Sequence, residues 1–257
     1  MQPTLFLSHG SPMLALQDIP AHRFLAGLGP SLVRPDAIVA VSAHWETVLP
    51  SVNAVERNAT IHDFRGFPQG LYDLQYPAPG APDLADRIAN MLGDAGLQGR
   101  IDPSRGLDHG AWVPLLLMWP DHTIPVVQVS VQSDLGPGHH VQLGQALAGL
   151  RADNILVMAS GSFTHNLGSI QRHGAGPEPE WVTGFADWMH DAIMARRTCD
   201  LVSYRRLAPF AEQNHPTDEH LLPLFVAMGA AGRDATPTRV HHSTDLGVLR
   251  MDSYRFD

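Results

Sequence analysis

The sequence contains no lysine, so all 17 basic side chains among its 257 residues are arginine. Schiff-base catalysis, pyridoxal phosphate anchoring and a Walker-type phosphate loop each depend on a lysine ammonium, and the composition excludes all three. Cysteine is nearly as scarce. Cys199 stands alone, and a single thiol makes neither an internal disulfide nor the thiolate cage of an iron–sulfur cluster or a Cys-rich zinc site. Long apolar runs are missing too: no stretch approaches the ~18 residues of a membrane span. The chain opens on a strand-like run at Thr4–Leu7 rather than on a basic, apolar leader, so a cytoplasmic protein with no membrane partner is expected. The formal net charge is −9 with the arginines dispersed, which argues against nucleic acid as a partner. Against these shortages stand 15 histidines and a 44% hydrophobic fraction, enough for a sizeable core. With thiolates excluded, a bound metal would have to be held by imidazole and carboxylate.

Short apolar runs bounded by turn residues recur at Thr4–Leu7, Ala37–Ser42, Val126–Val131 and Ile155–Ala159. Their length and β-branched content are those of strands buried on both faces. Helical patterns lie between them. Leu84, Ile88, Met91 and Leu92 share one face after a Pro82-Asp83 start, Val141 to Leu150 forms a second amphipathic stretch, and Trp181 to Met194 a third. Near the end, Arg239–His242 and Val248–Phe256 read as a closing antiparallel pair. No linker or repeat divides the chain. The expectation is an α/β fold, one domain over residues 1–257, with a central mixed, largely parallel sheet and helices on both faces.

In open α/β sheets, function gathers at the carboxyl ends of the strands. Three of the predicted strands run into a histidine there: His9 after the first, His44 after the second, and His165 beyond Ile155–Ala159. His220 stands where Thr217-Asp218-Glu219 opens a helix, and His109 lies in Asp108-His109-Gly110. One histidine near a strand end is ordinarily a hydrogen-bonded structural residue. Several at one rim point to a metal, because three neutral imidazoles hold a divalent first-row ion and leave positions open. The remaining histidines, His22, His122, His173, His190 and the pairs His139-His140 and His241-His242, are expected at the surface, while Trp112, Trp119 and Trp181 are expected in the core. Gly27-Leu28-Gly29-Pro30 lacks the third glycine of a dinucleotide loop and reads as a turn. A serine hydrolase on Ser162 and His165 is conceivable but lacks the Gly-x-Ser-x-Gly elbow.

An ordered series of motifs along nearly the whole chain resembles the class III extradiol ring-cleavage dioxygenases of the DOPA dioxygenase type. It runs through Leu5-Phe6-Leu7-Ser8-His9-Gly10-Ser11-Pro12-Met13, Val41-Ser42-Ala43-His44-Trp45, Thr60-Ile61-His62-Asp63-Phe64 and Tyr76-Pro77-Ala78-Pro79-Gly80. Asp108-His109-Gly110, His165-Asn166-Leu167 and Pro216-Thr217-Asp218-Glu219-His220 complete it. The resemblance implies His9, His44 and His220 as metal ligands, His165 as the acid–base residue and His109 as the contact to a substrate hydroxyl. It implies iron(II) as the working metal, with zinc(II) able to occupy the site on purification, and a catechol and O2 as the reactants. A ligand set on one face of iron leaves room for a catechol and dioxygen together, and the product is of the muconic semialdehyde type. The alternative is a zinc-dependent hydrolase using the same three histidines, since zinc-bound hydroxide needs only one open position. His62, Arg65, Phe67 and Tyr72, in the Thr60–Gly80 loop, are candidates to meet a substrate side chain. No motif specifies an oligomeric state.

Overall fold

The four apolar runs form the middle of one eight-stranded sheet. The computed structural model describes residues 1–170 and 177–257; His173, expected at the surface, lies outside the described residues. In chain order the strands are β1 (Thr4–Ser8), β2 (Ala37–Glu46), β3 (Ser51–Asn53), β4 (Arg100–Asp102), β5 (Val126–Val131), β6 (Ile155–Gly161), β7 (Pro237–His241), β8 (Thr244–Asp245), β9 (Leu249–Arg250) and β10 (Ser253–Phe256). The helices are α1 (Pro20–Ser31), α2 (Gln69–Tyr72), α3 (Pro82–Asp94), α4 (His109–Met118), α5 (Gly136–Leu147), α6 (Glu180–Met194), α7 (Thr198–Val202), α8 (Tyr204–Leu207), α9 (Ala211–Asn214) and α10 (Leu222–Ala231).

Across the sheet the order is β4-β3-β5-β2-β6-β1-β10-β7, while β8 and β9 form a separate small pair. The neighbours β5, β2, β6 and β1 are mutually parallel. Antiparallel pairing closes both flanks, β3 on β5 and β10 on β1, with β7 antiparallel to β10. The fold is therefore α/β with a mixed sheet and a parallel centre.

Alternate residues of a strand face opposite ways, and here both ways are buried. Val39 and Val41 of β2, with Val127 and Val157, pack against Leu143 and Leu147 of α5 and Phe225 of α10. Ile38 and Ala40, with Leu5, Leu7 and Met158, pack against Leu25 of α1 and Trp112 and Leu115 of α4. Trp112 and Trp119 are core residues, while Trp181 is half-buried at the edge of the second cluster. The closing antiparallel pair expected at the end of the chain is β7 with β10.

Several expectations are corrected. Gly27–Pro30 is not a turn but the last part of α1, ending in Pro30-Ser31. A Cβ on Gly29 would lie 2.0 Å from the Met118 carbonyl oxygen, so this glycine lets α1 cross the end of α4 at close range. His140 is not a surface residue. It is fully buried on α5, its Nε2 accepting from the Gln132 N–H at 3.1 Å and its Nδ1 2.7 Å from the Gly136 carbonyl, where the ring satisfies backbone that leaves the sheet after β5. His22, His122, His139, His190 and His241 are half-buried rather than exposed, and the His242 side chain is 52% exposed.

Candidate metal centre

Because β2, β6 and β1 are adjacent and parallel, their carboxyl ends form one rim. His9 is the residue after β1, and His44 lies inside β2, which runs on to Glu46. His220 comes from the other direction, just before α10; its carbonyl accepts from the Ser162 N–H at 2.8 Å, which docks this segment on the exit of β6. His109 is the first residue of α4. Asp108 caps that helix, its carboxylate accepting from the Ala111 N–H, the Ser42 hydroxyl and the Gln128 amide. Gly110 follows, and a Cβ there would fall 2.4 Å from Ser42 Oγ and 3.0 Å from the His44 ring. Only glycine lets the start of α4 press this closely on the rim.

The Nε2 atoms of His9 and His44 are 3.0 Å apart, and those of His44 and His220 3.2 Å. Two donors at about 2.1 Å from a shared ion and at right angles to each other sit about 3.0 Å apart, so the spacing fits three ligands on one face of a divalent metal. The outer nitrogens are engaged elsewhere. His9 Nδ1 is 3.0 Å from Ser160 Oγ, His220 Nδ1 2.9 Å from Glu219 Oε1, and His44 Nδ1 3.5 Å from Asp63 Oδ2. Such partners hold ligating imidazoles in orientation. His9, His44 and His220 thus make a candidate three-histidine metal site.

Burial, and then the neighbouring imidazoles, push His9 and His220 well below the ordinary histidine range. Burial and then His109 bring His44 down to about 4 against the opposing charges of Asp108 and Asp63. All three rings are therefore neutral near pH 7, with lone pairs available to a metal. His165 is likewise lowered to about 4, chiefly by burial. Burial pushes the Asp63 carboxyl up, but its hydrogen bonds to His109 and the adjacent imidazoles outweigh this and hold it at about 2.

His165 and His109 flank the trio. The His165 ring stacks on His220, centroids 3.4 Å apart and planes 12° from parallel, and neither of its ring nitrogens has a hydrogen-bond partner among the described residues. The His109 ring centroid is 3.9 Å from that of His44. Its Nδ1 is 2.9 Å from Asp63 Oδ1 and its Nε2 is without a protein partner among the described residues. All five histidines singled out in the sequence therefore meet at one rim. Phe64 stands edge-on to His109 at 5.6 Å, with Phe67 and Tyr72 packed on it at 5.3 and 5.2 Å, an aromatic wall beside the cluster.

A family model for the catalytic LigB subunit of aromatic ring-opening dioxygenase matches residues 3–249. The chain belongs to this ring-opening dioxygenase family. A 4,5-DOPA dioxygenase extradiol of Beta vulgaris is 45% identical over 100% of this chain and 97% of its own length. Its counterpart from Escherichia coli K12 is 41% identical over 97% of this chain and 92% of its own length. A solved structure of an uncharacterised Escherichia coli K12 protein superposes with a TM-score of 0.84 at 35% identity, each chain covered in full. As in other members of the family, the catalytic chemistry is that of a ring-opening dioxygenase.

Several residues of the site escaped sequence reasoning. Ser160 and Asp63 carry no spacing signal as partners of His9 and His109, since each meets its ring only through the fold, whereas Glu219 is the chain neighbour of the ring it engages, His220. Among the aromatic residues of the Thr60–Gly80 loop, Phe64 rather than Phe67 or Tyr72 faces His109. Arg65 is exposed, and His62 Nε2 is 3.0 Å from the Leu74 carbonyl. Ser162 is no nucleophile: it is fully buried and its hydroxyl donates to the Thr164 carbonyl at 2.7 Å.

Proposed function

We propose that this family member is a non-haem iron(II)-dependent extradiol dioxygenase that opens a side-chain-bearing, DOPA-like catechol with O2 to a muconic semialdehyde type product. The observation that carries the reading is the convergence of three neutral histidine nitrogens on one point of a sheet rim, with two further histidines beside them. The 4,5-DOPA dioxygenase activity by which the Beta vulgaris and Escherichia coli relatives are named supports the DOPA-like substrate class. In this reading His9, His44 and His220 are the ligands. Bound there, ferrous iron supplies Lewis acidity toward the catechol and one-electron chemistry toward triplet dioxygen.

The remaining work falls to side chains. His109, its Nδ1 engaged by Asp63, turns Nε2 to a substrate hydroxyl. His165, with unclaimed ring nitrogens, takes a hydroxyl proton and returns it as the ring opens; one imidazole serves both directions when neutral at working pH. Phe64 and its aromatic neighbours give the substrate ring an apolar wall that keeps water from the cleft.

The test is anaerobic loading with iron(II), then oxygen uptake and visible absorbance across a catechol panel. Iron-loaded protein is expected to consume oxygen and form a yellow product, while zinc-loaded protein binds catechols without oxygen uptake, zinc having no accessible redox change. Equal uptake with zinc overturns the reading, and ester turnover by the zinc form favours the hydrolase. In the same assay His165→Ala should retain metal and catechol binding and lose about 10²–10⁴-fold in turnover, with His165→Gln nearly as poor. A fully active glutamine variant would reduce His165 to a brace of its loop.

A further inference from the structure

Asp63 joins the metal-facing and substrate-facing parts of the cluster. It lies in the loop that follows the bridge between Thr60 and Leu107, with its side chain 22% exposed. Oδ1 accepts two hydrogen bonds from one residue, the backbone N–H of His109 at 3.0 Å and its ring Nδ1–H at 2.9 Å. Oδ2 is turned to His44, 3.5 Å from Nδ1. Asp63, His44 and His109 could be taken for a second metal trio, but the carboxylate is already engaged by N–H donors on the side that a cation would need.

We infer that Asp63 is a positioning residue that sets the tautomers of two imidazoles at once, the ligand His44 and the substrate-facing His109. This rests on His44 being a ligand. A neutral imidazole carries one N–H, and a carboxylate accepts but cannot donate. Facing Nδ1 of both rings, it places both protons there and leaves both Nε2 lone pairs for the cleft, one for metal and one for a hydroxyl. The other ligands are served differently. His220 has its own carboxylate in Glu219, whereas His9 faces the Ser160 hydroxyl, which donates or accepts and so specifies neither tautomer.

The comparison of Asp63→Asn with Asp63→Ala tests this. In the asparagine variant the two His109 donors keep the amide oxygen in the place of Oδ1, so the NH2 group replaces Oδ2 against His44 Nδ1. A donor there stabilises the His44 tautomer with hydrogen on Nε2, which cannot ligate. Alanine removes the instruction without reversing it. The readout is cobalt(II) affinity from visible absorbance, without catechol or oxygen, together with long-range proton–nitrogen spectra of the imidazoles in metal-free protein.

The asparagine variant is expected to bind cobalt about 10–100-fold more weakly than the wild type and more weakly than the alanine variant, with His44 shifted to its Nε2–H form. A carboxylate that merely anchors its loop gives the opposite order, since asparagine keeps the bonds to His109 and alanine loses them; that order, or equal affinities, overturns the inference. If the alanine variant does not fold, the His44 tautomer in the asparagine variant decides alone, and an unchanged tautomer overturns it. His44→Ala separates the two readings. Cobalt binding that survives this change refutes His44 as a ligand, whereas its loss beside an unaffected asparagine variant refutes only the role of Asp63.

Discussion

The rim of the sheet and the region beside it bury histidines in two different ways. His140 and His215 are fully buried, and burial lowers them to about 4 and about 3, much as it lowers His44 and His165. Burial and a depressed pKa therefore do not mark a ligand. The difference lies in where the nitrogens go. Both nitrogens of His140 are taken by backbone, at Gln132 and Gly136, and His215 Nε2 donates to the Phe163 carbonyl at 3.0 Å. At the rim His9, His44 and His220 are each held through one nitrogen and keep the other for a shared point. The buried Nδ1 of His215 is also without a partner among the described residues, so an open nitrogen alone does not mark a candidate ligand; an open nitrogen facing other open nitrogens does.

Substitution on each side should break this comparison if it is wrong. The largest effect is expected for His9→Ala, which should abolish stoichiometric metal in equilibrium dialysis while the metal-free protein keeps its fold by circular dichroism. His140→Ala should do the reverse, leaving metal stoichiometry intact and lowering unfolding stability by about 1–3 kcal/mol, because the buried Gln132 N–H loses its acceptor. Metal loss in the second variant, or retention in the first, would erase the distinction.

A smaller effect sharpens it through pH. His140 has a folded pKa of about 4 against an ordinary value of 6.5, so the unfolded chain binds the proton more readily. Its contribution to stability is complete above pH 6.5 and is lost as pH falls from there toward 4, by about 1.4 kcal/mol per pH unit at most. Urea unfolding of metal-free protein should show a shallower acid loss in His140→Ala than in the wild type. Identical slopes would mean that the buried ring does not remain neutral. At the rim His44 binds protons in competition with metal only as pH falls to about 4, so the stabilisation that zinc confers should persist down to that pH and shrink below it.

Much of this was legible in the sequence, for identifiable reasons. The central strands are continuous apolar runs because both faces are buried, and such runs are visible without a structure. His9 and His44 could be placed at one rim because they sit at the ends of those strands. The proposed ligand set follows from the ordered motifs that carry the family resemblance, not from spacing. Local signals failed where distant backbone decides. Gly136-Pro137-Gly138 reads as the entry to a helix whose first turn would leave His139 and His140 in solvent, and α5 does begin there but carries His140 beneath the end of β5. Asp63 likewise meets His109 only because Thr60 bridges Leu107, an approach with no local pattern.

The position of β1 bears on when the centre can exist. His9 follows a strand whose two neighbours are both distant in the chain: Thr4 pairs with Val157 on one side and with Phe256 on the other. Contacts of such long range form slowly and cannot form before both partners have been synthesised. During translation His9 and His44 leave the ribosome early, but β6, which lies between their strands, and His220 follow much later. A metal ion meeting the growing chain finds separate histidines with no common geometry. On the proposed function, loading therefore follows completion of β6 and of the His220 segment rather than accompanying synthesis of the first half of the chain.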